Sequence, residues 1–241
     1  MLRIKQRRPY YVLPSQRYDL TTKPPSRSMQ KDFTFFIKFK VEDEIKNQET
    51  PSSIMMRPGM HYGLTYNQVN GNISWEFWYE RDNENHFGFI TTELTPHKLT
   101  DEWIVIVRHQ WRNKTFTMTL INKDGDVWSL EETYDGRLND YTETPYNFGC
   151  GNYFQQVDDS HYFWGDYTMY GVGLIENVKY DDDAISMFML NNENSTYELS
   201  KPIDDITFYF NFNEQNRYKV WDLSGHCNFL ILNMDVGKCN I

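Results

Sequence analysis

"FTFFIKFKV", residues 33–41, is the stretch from which the architecture follows. Phe33, Phe35, Ile37, Phe39 and Val41 recur at every second position, and Thr34, Lys38 and Lys40 fall between them. A period of two gathers the apolar set on one face of a β-strand, whereas a helix would scatter it around its circumference. A strand of this kind needs a second layer to cover that face.

The same signature repeats along the chain. "NISWEFWYE" (72–80) sets Ile73, Trp75, Phe77 and Tyr79 on one side and Ser74, Glu76, Trp78 and Glu80 on the other. "EWIVIVRHQW" (102–111) is apolar on both faces for five residues, as suits a central strand. "TFTMTLI", "NKDGD" and "VWSLE" (115–131) read as a hairpin whose Asp-Gly supplies a positive φ. "TMYGVGLI" (168–175) and "DITFYFNF" (205–212) add two more strands, the latter burying Ile206, Phe208, Phe210 and Phe212. Helical signals are scarce. "DDDAISMFMLNN" (181–192) predicts one short helix, with acids in its first turn and Ile185, Phe188 and Met189 inward. Many short strands separated by turns predict an all-β fold: a sandwich of two antiparallel sheets with at most one short helix.

At 241 residues the chain is long enough for one such domain with a proper core. Charge divides it. Residues 1–31 hold eight of the 24 Lys and Arg but one of the 34 acids, Asp19. The expected organisation is an extended basic N-terminal arm and linker (1–31) followed by a sandwich domain (32–241). The arm lacks an amphipathic period, and the acidic body would repel polyanions, so nucleic acid is not an expected partner. The arm should instead lie on an acidic protein surface, its own or a neighbour's, in an oligomer or larger assembly. No apolar run approaches the ~20 residues of a membrane span. The opening "MLRIKQRRPYYVL" has too short and Pro-interrupted an apolar part for a signal peptide, so cytoplasmic synthesis is expected. Three cysteines, Cys150, Cys227 and Cys239, form no zinc spacing, and whether Cys227 and Cys239 pair is open.

The order of these elements resembles the concanavalin A-like lectin/glucanase superfamily, in its laminin-G-like jelly-roll branch. "DFTFFIKFKVED" is similar to the family's opening strand, and "SSIMMRPGMHYGLTYNQVNGNISWEFW" to its strand, Gly-containing loop and display strand. "LTDEWIVIVRHQWRNKTFTMTLINKDG" and "MYGVGLIENVKYDDDAISMFML" resemble later segments that close such modules. "FYFNFNEQNRYKVWDLSGHCNFLIL" (208–232) looks like the strand, Asp-x-Ser-Gly turn and strand that commonly begin one, yet here it comes last. It is either a hairpin of one sheet assembled in permuted order or a second repeat cut short. The apolar residues of "ITFYF" and "FLIL" need a sheet to cover them, which favours the first. Asp222 should then accept backbone N–H groups across the turn, and Gly225 should take a positive φ. Some relatives bind calcium at such loops. That resemblance makes Asn213, Glu214 and Asp222 calcium candidates, against an Asx turn as the plain structural role; no other cofactor is implied.

Glucanases of the superfamily carry alternating carboxylates, and Glu80-Arg81-Asp82-Asn83-Glu84 fits that pattern. On a strand the three acids would share a face, and a retaining pair needs about 5.5 Å between carboxyl groups. The intervening Arg81 and Asn83 are polar, however, and "ERDNENHFG" (80–88) has turn composition. A hairpin tip explains the spacing without catalysis. Nucleotide, serine-hydrolase and zinc-protease motifs are absent from the sequence, and the six histidines are dispersed.

Binding remains. Sugars offer flat C–H faces to aromatic rings and hydroxyls to carboxylates. Trp78 projects from the face shared by Ser74 and Glu76, and Trp111, Tyr162 and Trp164 could form a second aromatic patch. The expectation is a non-catalytic module for a glycan, a polysaccharide or a protein partner. A structural subunit of a larger assembly, such as a virion capsid or tail surface protein, is the expected setting. A polysaccharide-degrading glycoside hydrolase using Glu80 and Glu84, and a purely structural spacer, are the alternatives.

Overall fold

A computed structural model describes residues 2–4, 10–13, 31–41, 52–57, 62–67, 71–92, 101–139, 146–148, 150–151, 163–164, 167–195, 199–200, 202–212, 219–225 and 229–233. These residues form a two-sheet antiparallel β-sandwich. The seven-stranded sheet runs β1 (Leu2–Ile4), β15 (Tyr167–Ile175), β3 (Phe33–Val41), β8 (Glu102–Gln110), β9 (Thr115–Asn122) and β10 (Val127–Thr133). Its seventh strand, β16 (Ile206–Asn211), shares one edge of β15 with β1.

The nine-stranded sheet runs β11 (Arg137–Leu138), β6 (Asn72–Arg81), β5 (Tyr62–Asn67), β4 (Ser52–Arg57), β12 (Tyr146–Phe148), β2 (Tyr10–Leu13), β18 (Phe229–Asn233) and β17 (Lys219–Trp221), with β7 (Glu84–Thr91) on the other edge of β6. A small ribbon pairs β13 (Cys150–Gly151) with β14 (Phe163–Trp164). β1 and β2 fall within residues 1–31, so the basic segment supplies one strand to each sheet.

The period-two pattern becomes the core. Phe33, Phe35, Ile37, Phe39 and Val41 face Ile73, Trp75 and Phe77 of the opposite sheet, all buried. Phe35 meets Trp75 at a ring separation of 5.9 Å, and Tyr62 meets the same indole at 5.0 Å. Each fully buried Phe contributes about 1.5–3 kcal/mol relative to exposure, so this layer dominates the favourable side of folding.

Phe36, Ile104 and Ile106 point the other way and would face water if the sheet were bare. Helix α1 (Asp182–Asn192) covers them with Ile185, Phe188 and Met189. Phe188 meets Phe36 edge-on at 5.7 Å. The helix starts where Asp181 accepts the Ala184 amide at 2.8 Å, and Arg108 pins its first turn by pairing with Asp182 and donating to the Tyr180 carbonyl. Two-sided burial explains why β8 reads as a continuous apolar run.

The late corner belongs to both layers. β17 pairs with β18 in the nine-stranded sheet, and Asp222, immediately after it, bridges to Phe210 of β16 in the other. Asp222 Oδ1 accepts the amides of Tyr209 and Ser224, each at 2.9 Å, and Oδ2 accepts the Ser224 hydroxyl at 2.8 Å. Gly225 takes φ +87°, which side chains avoid. β16 closes against β15 and β18 against β2, so the hairpin that comes last in sequence is part of this same sandwich. No helix among the described residues is long and apolar enough to cross a membrane.

Candidate functional site

Because Ile73, Trp75 and Phe77 enter the core, strand parity turns Ser74, Glu76, Trp78 and Glu80 to the outer face of the nine-stranded sheet. The register extends that face across neighbouring strands in rows. Ser53 of β4, Thr65 of β5, Ser74 of β6 and Thr91 of β7 stand opposite one another in turn, forming a row of hydroxyls. The next row holds Glu76 opposite Phe89, and the one after it Trp78 opposite Phe87. Beyond these, Glu80 faces Asn85 on one side and Arg137 on the other.

Glu76 is the unusual member. It is only 8% exposed, and its Oε1 accepts the Thr65 hydroxyl at 2.8 Å. Its Oε2 is buried and finds no hydrogen-bond partner among the described residues, and the same holds for the Ser53 hydroxyl. Burial pushes the carboxyl up to about 7, with the Thr65 bond pulling weakly the other way. An acid in this state exchanges its proton near neutrality and offers an oxygen with unspent capacity.

Beside it stands an aromatic platform. Half-buried Trp78 packs on Phe87 at a ring separation of 5.0 Å, and Phe87 lies 5.9 Å from Phe89. Phe87 and Phe89 are 44% and 56% exposed, large apolar groups held at the surface. Ser74 and Thr91 share a hydroxyl–hydroxyl bond of 2.8 Å. The sequence expectation of Ser74, Glu76 and Trp78 on one face is what the register gives, and it adds two phenylalanines.

Other expected residues lie elsewhere. Trp111 sits at the β8–β9 hairpin of the other sheet, its amide donating to Asp32 and its ring edge-on to His109 at 6.4 Å. It does not join the platform. Tyr162 and the side chain of Trp164 lie outside the described residues, as do Asn213, Glu214, Cys227 and Cys239. Both carboxyl oxygens of Asp222 already accept protein donors, and among the described residues no three acids, histidines or cysteines gather as a metal site.

The shared face that the hydrolase alternative needs for Glu80, Asp82 and Glu84 does not form. Asp82 and Asn83 form the two-residue turn of the β6–β7 hairpin, at φ 55° and 62°. Glu80 pairs with Asn85, whereas Glu84 pairs with Arg81, so parity sends the two glutamates to opposite faces. All three acids are exposed. The chain doubles back here in a hairpin tip, the reading that the composition of "ERDNENHFG" favours over a continuous strand.

No family model matches the chain. No curated protein matches it either. Among solved structures it is similar to the NanB sialidase from Streptococcus pneumoniae, at 17% identity and TM-score 0.47, covering 65% of this chain and 24% of that one. The chain thus spans about a quarter of that sialidase. It is also similar to the botulinum neurotoxin serotype D binding domain, at 12% identity and TM-score 0.46, covering 77% and 42% of the two chains. The Ruminococcus gnavus IT-sialidase CBM40, bound to α2,3 sialyllactose, gives 11% identity, TM-score 0.44, and coverage of 69% and 94%. Likenesses this distant carry no argument about ligand or chemistry.

Phe87 and Phe89 are hidden in the sequence because the polar composition of "ERDNENHFG" reads as one long turn. Its turn is two residues long, and β7 starts at Glu84. The signal was present: a two-residue Asp-Asn turn, then alternation of Phe87 and Phe89 with His86, Gly88 and Ile90. Chemically, this face can stack a flat apolar surface and accept or share a hydrogen bond beside it.

Proposed function

We propose that this chain is a non-catalytic, laminin-G-like sandwich module that binds glycan on the outer face of its nine-stranded sheet. The observation that carries this reading is the buried, unpartnered Oε2 of Glu76 next to the Trp78, Phe87 and Phe89 rings. An unsatisfied buried carboxyl oxygen costs stability, so its retention here calls for a functional reason, which a ligand on this face supplies. A sugar supplies both halves: hydroxyls for Oε2 and a C–H face for the rings. The opposite facing of Glu80 and Glu84 offers no carboxylate pair across one cleft, so no hydrolytic step is assigned.

The setting proposed is a structural subunit of a larger assembly, such as a virion surface protein. The concentration of basic residues in 1–31 against an acidic remainder supports it, with the segment engaging neighbouring protein. A glycan array probed with the purified chain, alongside Trp78→Ala, tests the binding role. Retention of a defined glycan set that the variant loses is the expected result, and an array blank at millimolar-range avidity would remove it. Size measured by light scattering on the intact chain at low and at high salt tests the assembly role: association that salt weakens is expected, and a monomer under both conditions would remove it.

A further inference from the structure

Resting on that binding reading, we infer that the site selects uncharged sugars and rejects acidic ones, with the Glu76 carboxyl as the discriminating group. The rows around Glu76 contain no cation among the described residues. Thr65 comes from β5, Phe89 and Thr91 from β7, and Ser74 and Trp78 from β6 itself. None of these titrates. The nearest basic side chain on the face among the described residues, Arg137, stands opposite Glu80, four residues along β6 and so about 13 Å away at strand rise. Glu80 already places a negative charge beside it.

A sialic or uronic acid bound on the Trp78–Phe87–Phe89 platform would therefore set its carboxylate near another, with nothing described to neutralise either. Like charges a few ångströms apart in a partly dry site weaken binding roughly tenfold or more. A neutral sugar meets the opposite situation. It brings no second charge beside Glu76, and its hydroxyls can meet the half-buried Ser74–Thr91 pair in the neighbouring row. Glu76 acts on the ligand through its charge, held just under the face by the Thr65 hydroxyl.

Protonation changes the contrast without changing the shape. The carboxyl is held near 7 by burial, so discrimination is strongest above that pH and narrows below it. Sialic and uronic carboxylates stay ionised over that range, which leaves Glu76 as the described group on these rows that switches.

The test is a paired array at pH 8.5 and pH 6, in which each neutral glycan is printed beside its sialylated or uronate counterpart. Wild-type protein should retain the neutral member at least roughly tenfold better at pH 8.5, with a smaller ratio at pH 6. Glu76→Gln, which keeps the shape and the Thr65 bond, should bring the pH 8.5 ratio close to unity. Preference for acidic members, or a ratio that neither pH nor the variant moves, overturns the inference and leaves glycan binding standing. An array blank for every pair removes both. Should Glu76→Gln fail to fold, the wild-type pH series alone decides the matter.

Discussion

Asp222 Oδ1 accepts the Tyr209 amide at 2.9 Å, so a carboxylate just past the end of β17 is stitched to the backbone of β16 in the other sheet. The same oxygen takes the Ser224 amide, and the second oxygen takes the Ser224 hydroxyl. One side chain thus closes the turn and joins the two layers. Asp222→Ala leaves the buried Tyr209 amide without this acceptor and should cost about 2–3 kcal/mol. Asp222→Asn keeps an acceptor oxygen and should cost clearly less. Urea midpoints of the two variants check this; equal midpoints would show the corner to be an ornament.

His109 predicts acid sensitivity. Its Nδ1 donates to the Lys31 carbonyl at 3.0 Å, which leaves Nε2 to accept the Tyr134 hydroxyl at 2.9 Å. The ring stacks on Phe116 at 4.6 Å and is fully buried. Burial lowers its pKa to about 4, partly offset by the Lys31 bond and the charge of Asp32. The unfolded chain takes up the proton near 6.5 and the folded one near 4. Stability should therefore be complete above pH 6.5 and fall through that window, by up to about 3 kcal/mol. In His109→Gln the slope of denaturation midpoint against pH between 6.5 and 4 should flatten.

Glu76 carries the opposite sign. Its folded pKa, about 7, lies above the ordinary 4.5, so the folded state holds the proton more tightly. The stability linked to it is complete below 4.5 and is lost as pH rises through 7. Glu76→Gln should then stabilise the ligand-free protein at pH 8.5, by at most about 3 kcal/mol, and do little at pH 4. Melting temperatures at the two pH values measure this; a variant less stable at pH 8.5 would mean that the carboxylate is favourably placed after all.

Much of this was legible in advance, and the limits have physical causes. Period-two alternation found β3, β6 and β16 and put Ser74, Glu76 and Trp78 on a common face, because parity is a property of the strand itself. The acids in the first turn and the apolar spacing found α1. What alternation cannot give is where a strand reverses. Glu80 and Glu84 look like neighbours on one face until the turn at Asp82–Asn83 sends them apart. The burial of Glu76 was equally hidden, since it depends on Thr65 and Phe89 arriving from other strands.

Gly88 shows why the β7 aromatics point outward. A Cβ there would sit 2.4 Å from Cζ of Phe77, so the core ring occupies the space that a side chain would need. Gly88→Ala should destabilise by about 1–3 kcal/mol through overpacking. Its effect should appear in the melting temperature, with Phe77 as the displaced group; Gly88→Ala combined with Phe77→Leu should recover part of the loss.

Exposure separates folding from binding at the platform. Phe89 and Phe87 keep about half their surface in water, so truncating either removes little core contact. Trp78, half-buried and packed on Phe87, contributes to both. Phe89→Ala should therefore leave the melting temperature within about 2 °C while weakening glycan binding several-fold, the scale of one lost stacking contact of about 1 kcal/mol. Trp78→Ala should lower both. Isothermal titration on glycans retained by the array, beside a melting curve for each variant, resolves the two effects. If Phe89→Ala binds as tightly as wild type, the rings are surface packing and the ligand lies off this face.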